Sequence, residues 1–350
     1  MTLDKTAELT RKIIRYGIYL LVLLIVGRIL WNIGYSIYIN RFPPPPPPPK
    51  VEFGRLPALV LPKDNNIPGL SYSLETPTGE LPKLPTVTKV YFMPQTTASF
   101  LALEEARETA RNLGFSGSVT SLSETIYHFE HKELPANIEM NISNRTFSVN
   151  FDLSQLPEVI NMQPRSTEEA ISSVRSFLSN TNLLTPELEE GKQTVEFLKA
   201  QPPDLVAAIS LSEANFIRVN LFRKNYDDLQ VFTPNPKKAN IWFLVSGDNS
   251  RDRQIVAGEY HYFPVTQERS STYPIKTPQE AWDELVAGKG AVAQLPQDGA
   301  KKIVIRRVSL GFYDPGAPQG FMQPIFIFEG DSGFVAYVPA ITPDYYGNGK

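Results

Sequence analysis

Three histidines, His128, His131 and His261, and no cysteine are all that this chain of 350 residues offers for imidazole or thiolate chemistry. His128 and His131 fall in a stretch that reads as a strand, where successive side chains alternate faces. The two therefore point oppositely and do not share a metal ion. The lack of cysteine removes disulfides, thiolate nucleophiles and Cys-based metal sites together. No H-E-x-x-H, G-x-S-x-G, G-x-G-x-x-G or P-loop pattern occurs. Gly114-Phe-Ser116-Gly117 lacks the second half of a nucleophile elbow and falls at a helix end, where a turn accounts for it. Among 37 acidic residues no carboxylate pair stands out by spacing. We expect no cofactor, no metal and no catalytic residue that the sequence can name.

Two places remain where a partner could be touched. Asp314-Pro-Gly-Ala-Pro-Gln-Gly320 is a polar, turn-rich loop between two aromatic strands, followed by Phe321 and Met322. It reads as a binding loop on a rigid sheet, offering Asp314, Gln319, Phe321 and Met322, or as a plain hairpin connection. The second place is Arg28, the one charge between Tyr16 and Ile39. A charge at mid-membrane costs about 2.5–3.5 kcal/mol, so Arg28 either snorkels to the headgroups beside Trp31 or pairs with an acid in a partner's membrane helix.

Residues 16–39 suffice for a transmembrane helix, which needs roughly 20 mostly apolar residues. Tyr16 and Tyr19 at one end, and Trp31, Tyr35 and Tyr38 at the other, match the preference of aromatic rings for the two interfaces. Lys5, Arg11, Lys12 and Arg15 make residues 1–15 a cytoplasmic tail, which puts everything after Asn40 outside. A secretory signal peptide is the rival, but its apolar region is typically about 7–15 residues long, and Trp-Asn-Ile-Gly-Tyr after Leu30 is a poor cleavage site. Pro43 to Pro49 then fix φ and remove donors, so residues 40–50 read as a polyproline stalk rising about 3.1 Å per residue. Docking of a proline-binding domain is the alternative for that run.

The rest is too long for one typical core. Its composition, 42% apolar with a net charge of −3, suits a folded protein and gives no electrostatic footprint for nucleic acid. A cysteine-free ectodomain fits a bacterial cell envelope. Residues 51–85, rich in proline and glycine with apolar beads, read as an extended segment laid along the folded body.

The fold class is α+β, with helix-plus-antiparallel-sheet modules at 86–160, 161–270 and 271–350. Each module has a short helix carrying a Glu-Ala pair: Glu105-Ala106, Glu169-Ala170 and Glu280-Ala281. Ser166-Thr-Glu-Glu169 and Thr277-Pro-Gln-Glu280 are capping boxes that start the second and third helices. Strands are expected at 87–93, 125–131, 138–153, 207–212, 216–223, 241–246, 255–265, 303–313, 323–329 and 334–340, with a tight turn at Asn144-Arg145.

Ile305-Arg-Arg-Val-Ser-Leu-Gly-Phe-Tyr313, Gln323-Pro-Ile-Phe-Ile-Phe-Glu329 and Phe334-Val-Ala-Tyr-Val-Pro-Ala340 together resemble the C-terminal module of YycH/YycI-type proteins and, more loosely, PepSY-like modules. Those families join an N-terminal membrane anchor to extracytoplasmic helix-plus-sheet modules, and YycH/YycI proteins regulate an envelope sensor kinase through membrane contacts. The resemblance implies an envelope regulatory protein with a protein partner such as a sensor kinase, and no catalytic residue. We expect a membrane-anchored, extracytoplasmic, non-catalytic binding protein of the cell envelope, acting on a protein or a cell-wall component. An envelope hydrolase with an unlocated Asp/Glu or Ser site, and a structural subunit of a secretion or surface-appendage machine, are the alternatives.

Overall fold

A computed structural model describes residues 3–41, 48–63, 65, 67–201 and 204–347, with backbone alone for residues 3–10 and 40. The chain divides into two units, residues 1–48 and 49–350. In the first, α1 (Leu3–Arg41) is one unbroken helix. It begins well before Tyr16, since no proline or glycine interrupts residues 3–16. Its portion Arg11–Ile39 is long and apolar enough to cross a membrane, a test that a signal sequence also meets. Of the expected stalk, residues 42–47 lie outside the described residues.

The second unit is α+β. In chain order it runs β1 (Ser71–Leu74), β2 (Val87–Phe92), α2 (Ala102–Asn112), β3 (Val119–Ser121), β4 (Ile126–Glu130), β5 (Ala136–Asn141) and β6 (Phe147–Phe151). Then come α3 (Pro157–Asn161), α4 (Thr167–Ser179), α5 (Pro186–Glu189), β7 (Gln193–Gln201), β8 (Asp204–Ala207), β9 (Phe216–Leu221) and β10 (Val231–Phe232). The remainder is β11 (Ile241–Val245), α6 (Arg251–Gln254), β12 (Ile255–Tyr260), β13 (Thr266–Pro274), α7 (Pro278–Val286), β14 (Ala291–Gln294), β15 (Lys302–Tyr313), β16 (Phe321–Gly330) and β17 (Val335–Pro339).

One sheet is antiparallel throughout, in the order β3-β4-β5-β6-β12-β11-β9-β7-β8. Period-2 alternation sends Ile138, Met140, Phe147, Val149, Val219 and Phe243 to one face, where α2 and α4 cover them. The Glu-Ala pairs explain the approach of the helices. Ala106, Ala170 and Ala281 are all buried, and each puts its helix's smallest side chain where helix meets sheet, while the glutamate before it points outward. Ser166 Oγ accepts the Glu169 amide at 3.0 Å to start α4, and Thr277 and Glu280 complete the reciprocal capping box of α7.

The other sheet centres on β15, β16 and β17, with β14 beyond β17 and β1 and β10 parallel to β15. Here β16 is buried on both sides, which is why Ile325 to Phe328 form an unbroken apolar run. Phe326 and Phe328 face α7, whereas Ile325 and Ile327 pack with Tyr313 and Tyr337 beneath Leu59 and Leu61. Residues 50–63 thus form a strap along the body. Arg55 clamps it by donating to the carbonyls of Gly347, Tyr346, Pro343 and Asp344 at 2.6–3.1 Å. Gln323 donates to Pro57 O at 2.8 Å and Tyr313 to Val60 O at 3.1 Å.

The sheets do not divide at residues 160 and 270. β6 pairs with β12, so one sheet runs through both stretches, and β2 pairs with β13 and β16 in the other sheet. The expected strand at 207–212 is not formed: β8 ends at Ala207 and Leu211–Glu213 is a 3-10 turn. The Asn144-Arg145 turn is present, with Arg145 at φ 61° and the Asn144 side chain accepting the Thr146 amide at 3.0 Å.

A buried ion cluster joins the halves. Arg223, which follows β9, donates to Glu187 at 2.7 Å, to Asp314 at the end of β15 at 2.6 Å, and to Phe263 O. Its guanidinium lies 4.4 Å from the Tyr262 ring centroid. Burial by itself would depress the Arg223 pKa, but Asp314 and Glu187 outweigh it and hold it above the ordinary value. Nearby, Asp227 accepts from Tyr91 at 2.7 Å and from Lys89 at 3.0 Å, tying β2 to the loop after β9.

Candidate functional site

The 314–320 loop is fastened from several directions. Asp314 is 2% exposed and bound to Arg223, and its other carboxylate oxygen accepts the Gly316 amide at 3.0 Å. Asn240 donates to Asp314 O at 3.0 Å and Gln319 to Tyr313 O at 3.1 Å. Met322 is fully buried, and Phe321 is half-buried against Phe53, with ring centroids 5.0 Å apart. Within the loop only Ala317 and Pro318 are exposed. The four residues singled out here by sequence are therefore brought together as an internal seam, with Asp314 and Met322 facing inward. Arg28 lies on α1, exposed among apolar neighbours.

A cleft forms instead on the helical face of the nine-stranded sheet, between the end of α2, the length of α4, and α6. Gly114, at φ 103°, closes α2: the Phe115 amide returns to Ala110 O at 2.8 Å and the Gly114 amide to Arg111 O at 3.0 Å. This turn drives Phe115 into the core and leaves Arg111 and Asn112 at the rim. The cleft holds about 470 Å³, within the roughly 300–1,000 Å³ of ligand sites. Phe115, Phe151 and Phe177 form its floor, and Ser172, Ser176 and Asn180 line one wall at one-turn spacing along α4. Arg251 and Asp252 come from α6. A second cleft of about 480 Å³ lies beyond Asn112 and Asn180, which line both.

No family model matches the chain, and no curated protein matches it. Among solved structures it is similar to an uncharacterized protein from Eubacterium rectale ATCC 33656, at 11% identity and TM-score 0.41 over 75% of this chain and 84% of that one. It is also similar to the Bacillus megaterium YpeB C-terminal domain, at 9% identity and TM-score 0.32 over 71% of this chain and 95% of that one. At these values neither neighbour assigns a function to the chain, and neither carries the YycH/YycI description.

The charges in the cleft and on the surface around it are unevenly answered. Arg145 pairs with Glu105 at 2.6 Å, Arg175 with Glu189 at 2.8 Å, Arg165 with Glu169 at 3.5 Å and Arg253 with Glu158 at 3.3 Å. Among the described residues Arg111 and Arg251 meet no carboxylate within 4.0 Å, the limit of an ion pair. His131 Nδ1 accepts the amides of Glu133 and Leu134 at 3.1 and 3.0 Å, which leaves Nε2 as the protonated nitrogen of the neutral ring. That ring stands edge-on to Phe115, 5.9 Å between centroids, at the edge of the cleft. His128 lies on the opposite face of the sheet, 3.6 Å from Glu139. His261 has its pKa lowered, first by burial. Among the described residues no three His, Asp or Glu side chains converge as metal ligands.

Sequence reasoning did not single out Arg111, Arg251 or the α4 serines, because three separate segments supply them. The one local signal was Arg111 set three residues before a helix-ending glycine.

Proposed function

We propose that this chain is a membrane-anchored binding protein of a bacterial cell envelope, with its N-terminus cytoplasmic and the body at 49–350 outside. It acts without catalysis, by contact with an envelope protein at the cleft between α2 and α4. The observation that carries this reading is the pairing, in one chain, of an apolar membrane-length helix with a body that opens a polar-walled cleft between its helices over Phe115, Phe151 and Phe177. The Lys and Arg residues before Tyr16 support the orientation. A sensor kinase as the partner is what the YycH/YycI resemblance adds, and Arg28 is the residue through which a membrane helix of that partner would be held.

A cysteine-free chain makes the topology test clean. Val60→Cys, at an exposed position, should react with a membrane-impermeant maleimide in intact cells, whereas Lys5→Cys should react only after permeabilisation. The reverse pattern would sink the orientation. Arg28→Leu should remove a co-purifying membrane partner, and an unchanged partner set would end the role given to Arg28.

A further inference from the structure

We propose that the cleft captures the carboxyl-terminal residue of a polypeptide, with the terminal carboxylate between Arg111 and Arg251 and an apolar final side chain over Phe115, Phe151 and Phe177. This rests on the reading of the cleft as the binding site and names its ligand. The argument begins with the two arginines. Each neighbouring arginine named above has its own carboxylate, whereas Arg111 and Arg251 line one cleft from α2 and α6 and are free of any among the described residues. Guanidinium forks match a carboxylate with paired, charge-assisted hydrogen bonds.

His131 adds a donor at the same rim, because its Nδ1 is already committed to two backbone amides. The acids of the lining do not cancel this. Glu169 is answered by Arg165 at 3.5 Å, and Asp252 sits exposed beside Arg251, where it can accept from a peptide amide. Ser172, Ser176 and Asn180 run along the wall as neutral hydrogen-bonding partners for an extended backbone. An aromatic floor directly under a cationic rim calls for a ligand with an apolar group and a carboxylate on neighbouring atoms. The last residue of a chain carries both on one Cα, and capture of a terminal carboxylate is an established recognition mode. A carboxylate from an internal Asp or Glu shares the charge but not that placement.

The test uses the full chain in lipid nanodiscs and three fluorescein-labelled pentapeptide pools read by fluorescence polarisation. One pool ends in Phe, Leu or Val as the free acid, the second is the same pool amidated, and the third is amidated with an internal Glu. The free acids should bind about tenfold or more tighter than either amidated pool. Arg111→Gln and Arg251→Gln should each erase that preference while leaving the melting curve unchanged. Equal binding of acid and amide, abolished by Ser176→Trp, overturns the carboxylate assignment and leaves the cleft as the binding site. Tighter binding of the internal-Glu pool, or no binding by any pool, overturns the proposal outright.

Discussion

The two sheets solve the same problem in opposite ways. In the sheet around β16 both faces are used: α7 covers one and the strap at 50–63 the other, so Tyr313, Ile325, Ile327 and Tyr337 lie inside a three-layered body. The nine-stranded sheet is covered by α2 and α4 on one face, ends in the short edge strands β3 and β8, and keeps open clefts beside its helices. A strand buried on both faces leaves no room between its own layers, while α2, which meets the sheet through Ala102, Ala106 and Ala110, and α4, which meets it through Ala170, Val174 and Leu178, leave polar space between them. The strapped half has an opening of about 770 Å³ beside Leu59, Leu61 and Lys276, whereas the other half sets its clefts between helices, where Arg111 and Arg251 meet no carboxylate among the described residues.

Trp242 in β11 and Trp282 in α7 report separately on the two halves in two single-tryptophan variants, each with the other two tryptophans replaced by Phe. The largest effect should come from Arg223→Met, which strands Glu187 and Asp314 in the interior and should cost about 3–5 kcal/mol. In urea the Trp242 and Trp282 transitions should then separate, because the guanidinium that held Asp314 to Glu187 is gone. Coincident transitions at an unaltered midpoint would break the two-half description.

Alkali should sharpen it. Burial raises the pKa of Tyr72, Tyr91, Tyr273, Tyr313, Tyr337 and Tyr346 in the strapped half, against Tyr260 and Tyr262 in the other. Above the ordinary value of 10.0 the unfolded chain releases phenolic protons that the folded chain retains. The stabilisation present below that pH is then lost as pH rises, and the Trp282 signal should weaken before that of Trp242.

A smaller, local effect is expected at Gly258, where an added Cβ would lie 2.2 Å from Phe243 Cδ1. Gly258→Ala should cost about 1–3 kcal/mol and move the Trp242 transition alone in a urea titration. The smallest effects belong to the helix caps. Thr277→Ala and Ser166→Ala should each cost about 1 kcal/mol, with Thr277 the larger because its box is reciprocal. Hydrogen exchange should show fraying confined to α7 or α4 respectively.

Legibility in the sequence followed the range of the forces involved. The long apolar N-terminal helix, the two capped helices and the strands with clean alternation, such as β5 and β6, are local patterns and were visible. β7, β13 and β14 were not. Residues 266–274 are mostly polar, and become strand only because β2 lies alongside. The 314–320 loop has the composition of a displayed loop, yet Asp314 is drawn inward by an arginine 91 positions away. Sequence spacing holds no trace of such a pairing. The cleft was hidden for the same reason, since its arginines lie on α2 and α6 and its serines on α4.

The central claim, that the open half does the binding, is tested most directly by placing a photo-crosslinking phenylalanine analogue at Ser176 in the cleft or at Val60 on the strap, both exposed, in intact cells of the native host. A discrete polypeptide adduct at Ser176, lost with Arg111→Gln and absent at Val60, is the predicted result. An adduct at Val60 with none at Ser176 would contradict the account and move the binding surface to the strapped half.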